Sequence, residues 1–216
     1  MSNHGFNSVI LDVDSTLCGI EGVDWLAALR GDTMSERVAT LTERAMAGAI
    51  TLDQVYGERL AMVQPTWAEI SALADAYASA LAPDAEDAIR RLTSTGRRVV
   101  LISGGLREAI VPVAVQLGIP QRDVHAVSVQ FDSDGRYAGY DTGSPLATSS
   151  GKRDVAASLK LKPRVLAMGD GVTDLAMRPA VDAFAAFVGF VRRPPVVELA
   201  DLVVESFDQL LEIVLV

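Results

Sequence analysis

The sequence has 216 residues, of which 50% are hydrophobic and 22% are charged. This composition excludes a mainly disordered chain and fits one globular domain, or one domain with a small insertion. The formal net charge of −9 argues against nucleic acids and anionic membrane surfaces as partners. An anionic substrate would therefore need a local positive site on this protein.

Nothing in the sequence predicts a membrane span or a secretory leader. It contains no run of about 18 uninterrupted apolar residues, and its start, MSNHGFNSVILDVDS, has no basic segment before a short apolar run. The single cysteine, Cys18, cannot form an internal disulfide. We therefore expect a cytoplasmic protein, since reducing compartments keep cysteines free.

The first predicted element is a short apolar run at residues 9–11. Unbroken apolar runs of this length indicate strands that are buried on both faces. Residues 17–80 then offer helical patterns and no convincing strand; the patterns cover residues 23–29, 35–46, 52–63 and 67–81. A plain crossover between strands needs only about a dozen residues, so we predict that this segment is an inserted helical cap.

Strands and helices alternate after the cap. In chain order, the patterns predict a helix at 84–92, a strand at 99–102, a helix at 106–117, a hairpin of 124–131 with 137–140, a helix at 151–161, a strand at 165–168 and a helix at 207–214. This alternation predicts an α/β fold with a doubly wound parallel sheet. The expected division is a core of residues 1–16 and 81–216 with a cap of residues 17–80.

Polar residues follow each of the three predicted strands. Asp12 and Asp14 follow the first strand, Ser103-Gly104-Gly105 follow the second, and Asp170 and Asp174 follow the third. In open α/β sheets, ligands bind beyond the carboxyl ends of the strands. We therefore expect these residues to form one shared site.

The carboxylates indicate acid–base or nucleophilic chemistry beside a cation. Close like charges repel, so Asp12 and Asp14 need a cation or a shared proton, and one could attack while the other moves a proton. Asp170 and Asp174 add oxygen ligands of the kind that suits Mg²⁺. The simpler interpretations are a solvated acidic loop for the first pair and the acidic first turn of a helix for the second.

Two further features indicate an anion site. Ser103-Gly104-Gly105 is predicted to open a helix, where backbone N–H groups attract anions and glycine permits close approach. Lys152, at another predicted helix start, could pair with a phosphate. An ordinary turn and a solvated lysine are the alternatives. Taken together, these parts match a phosphoryl-transfer site.

The sequence resembles the haloacid-dehalogenase superfamily over nearly its whole length. Four motifs match in order: Asp12-Val13-Asp14-Ser15-Thr16, Ser103-Gly104, Lys152, and Gly169-Asp170-Gly171-Val172-Thr173-Asp174. The resemblance implies a Mg²⁺-dependent enzyme that hydrolyses O-phospho-L-serine to L-serine and phosphate, the last step of serine biosynthesis. A related phosphatase for another small phosphometabolite is the alternative, and a non-catalytic binding protein on the same scaffold is a third interpretation.

The resemblance also implies catalytic and metal-binding roles. Asp12 would attack phosphorus to form an aspartyl-phosphate, and Asp14 would protonate the leaving oxygen and then activate water. Mg²⁺ would be held by Asp12, the backbone carbonyl of Asp14 and Asp170, with Asp174 orienting these ligands.

Substrate-binding roles follow from the same resemblance. The phosphoryl oxygens would be bound by Ser103, Gly104, Lys152 and Thr173. Glu21 would pair with the substrate ammonium, Arg59 with its carboxylate, and Met46 would line the pocket. Without the resemblance, the two charges would indicate a solvated helix face and Met46 core packing. Arg193 could approach the site but is given no functional role, and the oligomeric state is left open, a homodimer being one option.

Overall fold

The computed structural model describes residues 5–216. The strands in this range are β1 (Ser8–Leu11), β2 (Arg98–Leu106), β3 (Val124–Val127), β4 (Val129–Phe131), β5 (Tyr137–Tyr140), β6 (Val165–Gly169), β7 (Ala183–Phe187) and β8 (Leu202–Val204). The α-helices are α1 (Gly22–Ala28), α2 (Asp32–Met46), α3 (Leu52–Val63), α4 (Trp67–Ser79), α5 (Ala85–Ser94), α6 (Arg107–Gln116), α7 (Gly151–Ser158), α8 (Val172–Leu175), α9 (Pro194–Leu199) and α10 (Phe207–Leu215). Short 3-10 turns cover Gln121–Asp123, Pro145–Ala147 and Arg178–Ala180.

Within the described residues, six parallel strands form one sheet in the order β3-β2-β1-β6-β7-β8. Strand β1 lies between β2 and β6, with Leu11 opposite both Leu101 and Met168. Every residue of β1 and β6 is buried, as expected for apolar strands covered on both faces. The predicted α/β fold with a parallel sheet is confirmed.

Amphipathic helices cover the sheet. Helix α5 buries Ala85, Ala88, Ile89 and Leu92, which recur at the three- and four-residue spacing of one helical face. Helix α10 packs against α5 and buries its own apolar face. Full burial of a large apolar side chain such as Ile89 stabilises the fold by roughly 1.5–3 kcal/mol.

Helices α1 to α4 lie between β1 and α5, in the part of the chain predicted to be a cap. The chain enters and leaves this part through two adjacent segments, because Gly19 N donates to Ala80 O at 2.8 Å and Ala82 N donates to Leu17 O at 2.9 Å. The helix predicted at 52–63 has these bounds, and the one predicted at 67–81 ends earlier, at Ser79.

The hairpin prediction was wrong in its first strand. Residues 124–131 divide into β3, which joins the main sheet beside β2, and β4, which alone pairs with β5. The break lies at Ser128, and the next backbone N–H, that of Val129, donates to Glu108 Oε2 at 3.0 Å. The apolar pattern is continuous across this break, so the sequence does not mark it. Pairing of β3 with β2, an earlier strand, decides where β3 ends.

The prediction that Ser103-Gly104-Gly105 opens a helix was also wrong. These residues belong to β2, and α6 begins only at Arg107. The register between β2 and β3 shifts between Ile102 and Leu106. Ser103 Oγ accepts from Gly105 N at 2.9 Å, so a side chain satisfies this backbone donor within an irregular strand end.

Two strands were not predicted. Strand β7 has the sequence AFAAF and β8 has only three residues, so neither carries a strong strand pattern by itself. Their pairing in register with β6 and with each other places them in the sheet. Across residues 5–216, none of the helices combines the length and apolarity needed to cross a bilayer.

Candidate active site

The three strand ends that carry predicted site residues meet at one edge of the sheet. Asp12 directly follows β1, Asp170 directly follows β6, and Ser103 and Gly104 lie near the end of β2. Because β1 lies between the other two strands, these ends are neighbours. One cavity is lined by nine of the predicted residues, namely Asp12, Asp14, Glu21, Met46, Arg59, Gly104, Lys152, Asp170 and Thr173.

Lys152 links two carboxylates at the base of the cavity. Its Nζ lies 2.7 Å from Asp12 Oδ1 and 2.6 Å from Asp174 Oδ1, and all three side chains are buried. Burial alone would lower the pKa of Lys152, but the two carboxylates raise it above its ordinary value. Lys152 is therefore a fixed positive charge between two of the carboxylates of the site.

Three of the carboxylates could hold a metal ion. Asp12, Asp170 and Asp174 each offer one oxygen, and these oxygens lie within 4.8 Å of one another. Burial and the neighbouring Asp174 raise the pKa of Asp170 to about 8 and that of Asp12 well above its usual value. The cluster fits a divalent cation, because oxygen ligands suit Mg²⁺ and a cation would offset this repulsion.

Asp14 is held through one of its two oxygens. Oδ1 accepts from Gly22 N at 2.7 Å and from the Tyr77 hydroxyl at 2.6 Å. Burial raises the pKa of Asp14, and the bonds from Tyr77 and Gly22 oppose that shift. Oδ2 lies 3.5 Å from Ser103 Oγ, so it is the less engaged oxygen.

The opposite wall of the cavity comes from residues 17–80. Glu21 Oε1 accepts from Ser15 Oγ at 2.7 Å, and burial followed by repulsion from Asp14 raises the pKa of Glu21 to about 8. The arginine is oriented by a chain of contacts: Arg59 Nη1 donates to Thr42 Oγ1 at 2.7 Å. The Thr42 hydroxyl in turn donates to Asp24 Oδ1 at 2.5 Å.

Two predicted site residues do not line the cavity. Ser103 is fully buried, with its hydroxyl accepting from Gly105 N. Asp174 is also fully buried, and its Oδ2 accepts from Gly171 N at 3.0 Å. Asp174 therefore contributes to the site through its ion pair with Lys152 and through its oxygen in the carboxylate cluster.

The sequence predicted no role in the site for Arg193, although it could approach it, and no place there for Tyr77. Arg193 is buried; its Nε donates to Asp170 Oδ2 at 3.0 Å and its Nη1 to Glu43 Oε2 at 2.5 Å. It thereby joins the carboxylate cluster to α2. Tyr77 shares the buried face of α4 with Leu73 and Ala74, a pattern that indicates core packing. No local signal in the sequence marks Tyr77 as part of the site or gives Arg193 its partners.

The chain is similar to known hydrolases. The family model described as haloacid dehalogenase-like hydrolase matches residues 6–182. The human phosphoserine phosphatase is 37% identical over 208 residues, which cover 95% of this chain and 92% of that protein. The chloroplastic phosphoserine phosphatase of Arabidopsis thaliana is 33% identical over 209 residues, covering 94% and 70% of the two chains.

Solved structures agree with this likeness. A phosphoserine phosphohydrolase-like protein from Francisella tularensis superimposes with a TM-score of 0.87 at 26% identity, covering 95% of this chain and 98% of that one. A substrate-bound phosphoserine phosphatase has the same fold, with a TM-score of 0.81 at 24% identity and coverage of 96% and 97%. The predicted superfamily and the prediction of a hydrolytic enzyme are thereby confirmed. The chain belongs to the haloacid dehalogenase-like hydrolase family.

Proposed function

We propose that the protein is a Mg²⁺-dependent phosphatase that converts O-phospho-L-serine to L-serine and phosphate, the last step of serine biosynthesis. One observation carries the proposal: Glu21 and Arg59 line the same cavity as Asp12 and Lys152. A carboxylate and a guanidinium suit the ammonium and carboxylate of an amino acid. The similarity to phosphoserine phosphatases supports the same substrate.

We further propose that residues 17–80 act as a cap over a core of residues 1–16 and 81–216. Support comes from the origin of the cavity residues, since Met46 lies on α2 and Arg59 on α3 while Lys152 lies on α7. Separation of these elements would admit the substrate, and their approach would exclude water from it.

The proposed metal ligands are Asp12, Asp170 and the backbone carbonyl of Asp14, with Asp174 orienting the set. Bound Mg²⁺ would supply positive charge that neutralises the phosphoryl oxygens. Lys152 contributes a second positive charge from the chain itself, and the Gly104 and Thr173 positions border the same space. These groups supply the positive site that an anionic substrate needs in a protein of net charge −9.

In the proposed mechanism, a carboxylate oxygen of Asp12 attacks phosphorus and forms an aspartyl-phosphate. The ion pair with Lys152 at 2.7 Å favours the ionised, nucleophilic form of Asp12. Asp14 gives a proton to the departing seryl oxygen and then takes one from the water that hydrolyses the intermediate. Most of the catalysis comes from positioning and charge neutralisation.

The test of the substrate is a comparison of kcat/KM across phosphomonoesters, with and without Mg²⁺. We expect the highest value for O-phospho-L-serine, and loss of turnover after chelation of the metal or in Asp12→Asn. A higher value for a sugar or nucleotide monophosphate would instead favour a related phosphatase for another metabolite. Unchanged turnover in Asp12→Asn would overturn the mechanism.

The two ends of the amino acid are tested separately. Glu21→Gln and Arg59→Ala should each raise KM about 30-fold, because each removes a charged pair of about 2 kcal/mol. Matched controls are Glu58→Gln and Arg37→Ala, whose side chains form an exposed ion pair on α2 and α3. These controls should leave KM unchanged, and equal effects in both sets would exclude recognition of the zwitterion.

A further inference from the structure

Tyr77 lies in the last turn of α4 and reaches the catalytic loop, the segment after β1 that carries Asp12 and Asp14. Its side chain is fully buried, and its hydroxyl donates to Asp14 Oδ1 at 2.6 Å. The two residues are 63 positions apart in the sequence. A buried phenol needs a hydrogen-bond partner, and here that partner is the proposed acid of the reaction.

The bond from Tyr77 leaves the two oxygens of Asp14 unequal. Oδ1 receives two donors, the Tyr77 hydroxyl and Gly22 N. Oδ2 has only the distant Ser103 hydroxyl, at 3.5 Å, among the described residues. Two donors on one oxygen prevent rotation of the carboxyl group, so Oδ2 remains the oxygen available for proton exchange with a substrate.

The surroundings of Tyr77 are shaped to accept its hydroxyl. A Cβ at position 22 would lie 2.1 Å from Tyr77 Oη, so any residue larger than Gly22 would displace the phenol. On the other side, a Cβ at Gly105 would lie 2.7 Å from Asp14 Oδ2. Positions 22 and 105 therefore both require glycine, and the two close contacts define one position for the Asp14 carboxyl group.

Tyr77 is also close to the segment through which the chain returns from α4 to the sheet. Three residues further on, Ala80 O accepts from Gly19 N at 2.8 Å, and Ala80 N donates to Tyr77 O at 3.1 Å. The position of the hydroxyl therefore depends on how α4 is placed against the loop that carries Asp14.

We propose that Tyr77 is a positioning residue that holds Asp14 for proton transfer. This inference rests on the proposed function, because it assigns the proton transfer to Asp14. In that step the bond between phosphorus and the seryl oxygen breaks while a bond to Asp12 forms. The proton on Asp14 Oδ2 moves to the seryl oxygen, and the hydrogen bonds to Oδ1 stabilise the carboxylate that remains.

The leaving group provides the test. An alkoxide such as the seryl oxygen needs a proton to depart, whereas nitrophenolate is a stable anion and does not. Tyr77→Phe should therefore lower kcat/KM for O-phospho-L-serine about 30-fold, a part of the roughly 10²–10⁴-fold that general acid catalysis contributes, and that for p-nitrophenyl phosphate less than about threefold. The ratio kcat/KM reports steps up to departure of the leaving group, so later hydrolysis of the intermediate does not affect the comparison.

Tyr56→Phe is the matched control. Tyr56 is also buried, and its hydroxyl donates to Gly104 O at 2.8 Å rather than to Asp14. Loss of that hydroxyl should change kcat/KM for the two substrates by the same factor. Equal changes for the two substrates in Tyr77→Phe as well, or no change for either, would overturn the proposal.

A second variant covers the case in which Tyr77→Phe does not fold. Gly22→Ala keeps the phenol but pushes its hydroxyl away from Asp14, so the same selective loss with the alkyl substrate is expected. Failure of the proposed function has a different signature, namely a wild-type protein that does not hydrolyse O-phospho-L-serine. The comparison is then made with the alkyl phosphate that the wild type cleaves fastest, and the same two outcomes support or overturn the role of Tyr77.

Discussion

At the scale of single residues, the candidate site gathers acidic groups that burial makes costly to ionise. Asp12, Asp14, Glu21 and Asp170 all have raised pKa values, with burial as the largest cause for each. Groups with shifted pKa values are concentrated at functional sites because catalysis and binding use them. Under the proposed function, the substrate ammonium and a bound metal ion would favour the ionised form of these carboxylates.

The raised pKa of Glu21 predicts how KM for the substrate depends on pH. Its pKa is raised to about 8, so in the free enzyme it is protonated below that pH and cannot pair with an ammonium group. Binding must then remove a proton, and KM for O-phospho-L-serine should rise by up to about tenfold per unit as the pH falls from 8 to 7. Steady-state kinetics on the wild type and on Glu21→Gln measure this. The variant should have a high KM that is flat over this range, and a flat profile in the wild type would contradict the prediction.

At the scale of elements, the start of α4 is held by both a cap and an ion pair. Thr66 N donates to Glu69 Oε2 at 2.8 Å, and Glu69 N donates to Thr66 Oγ1 at 3.3 Å, which forms a capping box. Arg30 Nη1 donates to Glu69 Oε1 at 2.6 Å, so the segment after α1 is attached to the first turn of α4. This junction lies at the opposite end of α4 from Tyr77.

The ion pair predicts a pH-dependent contribution to stability. The bonds from Arg30 lower the pKa of Glu69 from 4.5 to about 2, so its stabilisation is complete above pH 4.5 and is lost as the pH falls through 2. Glu69→Gln should lower the free energy of unfolding by about 1 kcal/mol at pH 6. Urea unfolding at several pH values measures this difference, which should shrink toward pH 2. A difference that stays constant between pH 6 and 2 would exclude the ionised carboxylate as its source.

At the scale of the whole molecule, the carboxylate cluster should link metal binding to folding. Asp12, Asp170 and Asp174 come from the ends of β1 and β6 and from α8, so their oxygens meet only when the sheet is formed. An ion that binds only the folded state stabilises it, by about 2.7 kcal/mol at a concentration of 100 times Kd.

We therefore expect Mg²⁺ to raise the Tm of the wild type, measured by calorimetry against NaCl of equal ionic strength. Asp170→Asn should lose most of that rise because it removes a proposed ligand. Asp132→Asn, in the exposed turn between β4 and β5, is the control and should keep the full rise. An equal Mg²⁺-dependent shift in Asp170→Asn and the wild type would exclude the cluster as the binding site.

Local patterns in the sequence determined the strands at the centre of the sheet and the polar residues that follow them. The apolar runs around Ile10 and Leu166 are short and unbroken, so their burial on both faces follows from composition alone. Asp12 and Asp170 follow these runs directly, and parallel strands bring their carboxyl ends to one edge. These two strands, the fold class and the gathering of these two carboxylates therefore needed no tertiary information.

Only the tertiary structure decided the contacts between distant segments. Strand β7, rich in alanine, is a strand because it pairs with β6, and the three-residue β8 is a strand because it pairs with β7. Strand β3 separates from β4 because it pairs with β2. Tyr77 bonds to Asp14, 63 positions away in the sequence, and Arg193 bonds to Asp170, 23 positions away. Periodicity tells which face of a helix is buried, but the partner of a buried polar group depends on how helices pack. For that reason the hydrogen bond that holds Asp14 is a property of the fold and not of any motif.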